Sequence, residues 1–71
     1  MPRYRICYIE GPNGSLKKSR ETVVDAASFA EALAAFSHWP VVENYQHTTA
    51  SAWNPGTCLY YQELWEAERL D

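Results

Sequence analysis

The sequence predicts an α+β fold: a three- to four-stranded antiparallel sheet with one helix packed on one face, in the order ββαββ. Three observations predict it. Apolar and aromatic residues alternate with period two from Arg3 to Glu10, a turn signal follows at Gly11-Pro12-Asn13-Gly14, and a capping box opens an alanine-rich segment at Ser28. With 71 residues the chain is read as a single domain, 1–71.

The first strand places Tyr4, Ile6 and Tyr8 on one face and Arg3, Arg5 and Cys7 on the other. In the turn, Pro12 pre-sets φ for a central position and Gly14 tolerates φ > 0, so residues 15–24 return antiparallel. That second strand is polar through Lys17, Lys18 and Arg20 and apolar at Val23 and Val24, a pattern suited to a sheet edge. The helix follows. Ser28 accepts from the Glu31 amide, Phe29, Leu33 and Phe36 recur at i, i+4 and i+7, and Pro40 stops the helix near Ser37 or His38. A third strand runs from Val41-Val42 to about Thr49. Asn54-Pro55-Gly56-Thr57 suits a type II turn, and Cys58-Leu59-Tyr60-Tyr61 reads as a fourth strand. Residues 62–70 either extend that strand, ending near Trp65, or form a short C-terminal helix, since Glu, Leu, Ala and Arg favour helix while the preceding tyrosines favour strand.

Hydrophobic residues make up 46% of the chain and charged residues 21%, with only three glycines and four prolines; this excludes disordered, collagen-like and low-complexity classes. A domain of this size rarely draws more than ~3–5 kcal/mol of net stability from its core, so a bridge, a metal or a partner commonly supplements it. Cys7 and Cys58 can form one bridge if their strands are neighbours. Met1 leads directly into Pro2-Arg3-Tyr4 without an apolar h-region, and no long apolar run follows, so a cytoplasmic protein with reduced thiols is expected and a partner becomes the source of added stability.

Charge is uneven along the chain. Residues 1–20 hold Arg3, Arg5, Lys17, Lys18 and Arg20 against Glu10, whereas residues 21–71 hold only Arg69 against eight acidic residues. The net charge is −3. Such asymmetry either orients the domain on a charged partner or solvates each element separately.

Candidate chemistry is sparse. Cys7, His38, His47 and Cys58 lack the close pairing that zinc ligands need, so no metal is expected. Ser15 has no G-x-S-x-G elbow, and a His47–Cys58 pair has no cleft-sized fold around it, so no catalytic residue is assigned and no enzyme is expected. Gly11-Pro12-Asn13-Gly14 matches the bare G-x-x-G of KH loops but lies between strands, and no phosphate-binding or cofactor motif occurs; no cofactor is expected.

Two surfaces remain. The basic hairpin (Arg3, Arg5, Lys17, Lys18, Arg20), interleaved with Tyr4 and Tyr8, suits a small RNA- or DNA-binding domain, although a pI of 5.2 works against it. The second surface combines acids with aromatics: Glu43, Glu63, Glu66 and Glu68 to meet a basic protein groove, and Trp53 or Trp65 as the apolar anchor.

The hairpin around Gly11-Pro12-Asn13-Gly14 and the entry from Val23-Val24-Asp25 to Ser28-Phe29-Ala30-Glu31, in a short, acidic, Trp-rich chain, resemble the layout of small phage and mobile-element inhibitors, of which anti-CRISPR proteins are the best known. The resemblance implies a non-enzymatic protein in the host-cell cytoplasm, monomeric or homodimeric. Such a protein docks on a basic nucleic-acid-binding surface of a bacterial defence complex and blocks it by occlusion.

Overall fold

The computed structural model describes residues 2–46, 48–56 and 60–70. Its elements are β1 (Arg3–Pro12), β2 (Lys17–Asp25), α1 (Phe29–Ala34), β3 (Val41–Glu43), β4 (Thr49–Trp53) and β5 (Tyr61–Arg69). The five strands form one sheet in the order β2-β1-β5-β4-β3, antiparallel throughout.

This corrects the expected ββαββ fold of three to four strands with a packed helix. The sheet dominates, and the helix is six residues rather than about ten. Ser28 Oγ caps it by accepting from the Glu31 amide at 3.2 Å. The helix then closes early: the Phe36 and Ser37 amides both donate to the Leu33 carbonyl. The long third strand expected up to Thr49 is two short strands, because the Asn44 side chain folds the chain over itself. Asn44 Oδ1 accepts from the Thr48 amide at 3.0 Å, and its Nδ2 donates to Thr49 Oγ1 at 2.8 Å. In the expected fourth strand, Cys58 and Leu59 lie outside the described residues, as does Thr57 of the type II turn; Tyr60 precedes β5. The tail is strand through Arg69, with no C-terminal helix. Pairing with β1 along its whole length overrides the helical propensity of Glu, Leu and Ala.

The β1–β2 turn also shifts by one residue. Ser15 N–H donates to the Pro12 carbonyl at 2.9 Å, which puts Asn13 and Gly14 at the centre, and Gly14 takes φ +89° as a type II turn requires there. A β-bulge interrupts β2. Ile6 faces Thr22 and Tyr8 faces Ser19, so Arg20 and Glu21 together oppose Cys7.

Register sorts the side chains onto two faces. Tyr4, Ile6, Ala50, Ala52 and Ala67 point to the core face, where Phe29, Ala32 and Leu33 of α1 and the preceding Ala26 complete the buried cluster. The alanines of β4 and β5 leave the sheet surface shallow there, which accommodates the large rings of Phe29, Phe36 and Trp65. Tyr4–Phe29 and Phe36–Trp65 ring centroids lie 4.9 and 5.0 Å apart. On the outer face Cys7, Ile9 and Leu64 form a smaller buried cluster, and no described helix or strand lies over it. Val42 is 63% exposed, because its neighbour Val41 takes the inward position. No described helix is long and apolar enough to cross a membrane.

Candidate functional site

At the end of the sheet away from α1, β1 and β5 bring three register pairs of the core face together. Glu10 stands opposite Glu63, Tyr8 opposite Trp65, and Pro12 opposite Tyr61. The Tyr8 hydroxyl donates to Glu63 Oε2 and approaches Glu10 Oε2 at 3.1 Å, while the Tyr61 hydroxyl donates to Glu10 Oε2 at 2.8 Å. Asn54 Nδ2 donates to Glu63 Oε1 at 2.8 Å, held in place by its own backbone, whose N–H donates to the Glu63 carbonyl. The Asn54 Oδ1 accepts from the Gly56 amide at 2.8 Å, an Asx turn that aims the amide at the carboxylate.

The carboxylates are therefore satisfied by neutral donors, and no described cation lies within salt-bridge distance of either. The Tyr8 bond first, then the Asn54 bond, holds the Glu63 carboxyl below the usual carboxylate range against a small opposing effect of burial. Burial first, then the bonds to Glu63 and Glu10, pushes the Tyr8 phenol above its ordinary value. The Glu10 bond does the same for Tyr61. At neutral pH Glu63 is an anion and Tyr8 and Tyr61 are neutral phenols. Arg20 adds its guanidinium over the Tyr8 ring, 5.1 Å from the centroid. Around this end Tyr60 is 81%, Tyr61 44% and Trp53 40% exposed.

The six acidic and aromatic residues singled out in the sequence do not form one patch. Glu43, Glu63 and Trp65 lie on the core face, whereas Trp53, Glu66 and Glu68 lie on the outer face. Trp65 is spent on packing, between Tyr8 and Phe36, and is no exposed anchor; Trp53 is exposed. The basic set divides too. Arg3, Arg5 and Lys18 face outward, whereas Lys17 shares the core-face side with Glu10 and Arg20 covers Tyr8. Outward, Arg5 pairs with Glu68 at 3.0 Å and Glu21 at 3.8 Å, and Lys18 with Glu66 at 3.9 Å. Charges segregated along the chain are thus interleaved in space, because β5 pairs with β1.

Glu10, Tyr8, Tyr61 and Asn54 were not singled out from the sequence as site residues. The spacing Tyr8-x-Glu10 and Tyr61-x-Glu63 carries the signal, since each pair shares a strand face, but it is informative only once the two strands are known to pair. Cys7 is a free buried thiol, 3.6 Å from the Ser19 carbonyl. Cys58 and His47, and with them the suggested bridge and Cys–His pair, lie outside the described residues. Among the described residues no group of three or more His, Cys, Asp or Glu side chains is placed to hold a metal ion. No protein-family model, curated protein or solved structure matches the chain.

Proposed function

We propose that this protein is a binding module without chemistry of its own, which docks its tyrosine–carboxylate end on a cationic protein surface and acts by occlusion. One observation carries the reading: Glu10 and Glu63 are register partners whose carboxylates, among the described residues, accept from neutral donors, with Lys17 across from Glu10 on β2 but not within salt-bridge distance. Like charges directly opposite each other repel, and an arginine or lysine of a partner placed between them relieves that repulsion. Tyr60 and Tyr61 add rigid aromatic area beside the charges, the composition of binding hot spots. In keeping with the resemblance to anti-CRISPR proteins, the partner is a basic nucleic-acid-binding surface of a bacterial complex, met in the host cytoplasm. The division of the basic hairpin between two faces, with Arg5 and Lys18 already paired, weighs against direct nucleic-acid binding.

The test is fluorescence anisotropy with a labelled arginine-rich peptide and, separately, a mixed-sequence oligonucleotide, each at two salt concentrations. The peptide binds, and Glu10→Gln with Glu63→Gln weakens it by about tenfold or more, equivalent to about 1.4 kcal/mol. Unchanged binding by that variant, or oligonucleotide binding lost on neutralising Lys17, Lys18 and Arg20, overturns the reading.

A further inference from the structure

We infer that Asn13 is a site of spontaneous backbone modification, at which the side-chain amide is lost through a succinimide formed with Gly14 and an isoaspartyl linkage is left at the tip of the β1–β2 turn. The inference goes beyond the docking end and does not depend on it. The chemistry needs an asparagine side chain that nothing holds, a following backbone nitrogen that can reach it, and water. The turn supplies all three. Asn13 and Gly14 are both exposed, and the Asn13 side chain makes no hydrogen bond among the described residues. Gly14 has no side chain to shield its nitrogen, and the space where a Cβ would stand is open to 4 Å.

The step is a hydrolysis. The deprotonated Gly14 nitrogen attacks Asn13 Cγ, so that an N–C bond forms, the Cγ–Nδ2 bond breaks and ammonia leaves with the proton. Water then opens the ring. Opening at the side-chain carbonyl gives an ordinary aspartate. Opening at the backbone carbonyl, the more electrophilic of the two, leaves Gly14 joined through the side-chain carbon. No oxidant or reductant takes part.

The other two asparagines are held out of this chemistry by the fold. Asn44 Oδ1 accepts from the Thr48 amide, its Nδ2 donates to Thr49 Oγ1, and the bulky Tyr45 follows it. Asn54 Nδ2 donates to Glu63, its Oδ1 accepts from the Gly56 amide, and the next nitrogen belongs to Pro55, which has no N–H to lose.

The turn is too closely fitted to absorb the product. Ser15 N–H donates to the Pro12 carbonyl at 2.9 Å and Asn13 N–H to the Tyr60 carbonyl at 2.8 Å. An isoaspartyl linkage inserts one more carbon into the backbone between Pro12 and Ser15 and frees a carboxylate, which takes the net charge of −3 one unit lower. The hairpin tip and its tie to Tyr60 loosen.

Incubation of the full chain at 37 °C, at neutral and mildly alkaline pH, followed by peptide mapping with tandem mass spectrometry tests it. Residue 13 exchanges –NH2 for –OH before Asn44 or Asn54 does, and faster at the higher pH, where more of the Gly14 amide is deprotonated. An isoaspartyl-specific methyltransferase labels the product. Gly14→Ala converts about tenfold more slowly, the factor that about 1.4 kcal/mol of added barrier produces. Asn13→Asp separates charge from length: it keeps the wild-type melting midpoint, whereas the purified isoaspartyl chain melts lower. A native chain that keeps Asn13 intact while the urea-unfolded chain converts would show that the fold protects the turn, and overturns the inference. So does earlier conversion at Asn44 or Asn54, a Gly14→Ala variant as fast as wild type, or an isoaspartyl chain that melts with the wild type.

Discussion

Glu10 and Glu63 face each other directly across the β1–β5 ladder, two like charges on one side of the sheet. The arrangement costs stability in isolation. It persists because the Tyr8 and Tyr61 hydroxyls and the Asn54 amide all donate to the pair. The bonds from Tyr8 and Asn54 that make the pair tolerable also lower the Glu63 pKa, which makes that carboxylate useful for meeting a cation.

Those bonds give stability a defined pH dependence. Glu63 has a folded-state pKa below the ordinary carboxylate range, so its contribution is present at neutral pH and lost as pH falls through the folded value. Tyr8 has a raised phenol pKa, so its contribution is complete below the ordinary phenol value of about 10 and is lost as pH rises beyond it. Tyr8→Phe removes the Tyr8 contribution and the larger part of the Glu63 one, leaving the Asn54 bond. Urea unfolding of wild type and Tyr8→Phe from acid to alkaline pH should therefore show the largest difference between about pH 5 and 9, narrowing on either side.

Arg20 is the one described non-glycine residue with positive φ, at +53°, and it occupies the β-bulge. Left-handed backbone costs an ordinary residue about 1–2 kcal/mol. Its guanidinium recovers part of that over the Tyr8 ring, about 0.5–1 kcal/mol at an exposed site. Arg20→Ala keeps the strain and loses the contact, whereas Arg20→Gly loses both. Chemical denaturation should place the glycine variant about 1 kcal/mol or more above the alanine variant. Equal stabilities would mean that the bulge is not strained.

Two glycines of the first hairpin separate steric from conformational cost. A Cβ on Gly11 would stand 2.7 Å from the Ser15 carbonyl oxygen, on backbone at φ +143°. Gly14, at φ +89°, has open space around it. Gly14→Ala should cost about 1 kcal/mol, from backbone conformation alone. Gly11→Ala should cost distinctly more, because the turn itself must move. Thermal unfolding midpoints of the two variants check the order.

Leu33 is fully buried, and Phe29 lies with it among Tyr4, Ile6 and the sheet alanines. Truncating either to alanine costs about 2–5 kcal/mol, comparable to the whole stability of so small a domain. Both variants should be largely unfolded at 37 °C by circular dichroism. A cooperative transition with an unchanged midpoint would place the helix outside the core.

Local features were legible where the physics is local. Ser28 and Glu31 cap a helix because one side chain and one amide, three residues apart, suffice. The alternation of Tyr4, Ile6 and Tyr8 marks β1 because the strand period is set by the backbone itself. The helix length and the split of the third strand escaped, since each depends on one hydrogen-bonding choice, the closure on Leu33 and the Asn44 side chain. Residues 62–70 were ambiguous for a different reason. Their composition favours helix, and only the presence of β1 alongside makes them strand.

Short-range chemistry dictates the first strand, the turn near Gly14, the site of helix initiation and the chain-wise separation of charge. Tertiary structure alone decided that the last strand lies against the first. That one pairing joins Glu10 to Glu63 and Tyr61 to the cluster, and it lays Arg5 beside Glu68. The residues concerned are more than fifty positions apart, so no short-range pattern encodes their meeting. A slip of one residue in the ladder would send every side chain of β5 to the opposite face. What holds the register is the burial of Trp65 and Ala67 on the core face and of Leu64 on the other, a property of the assembled sheet and of no segment alone.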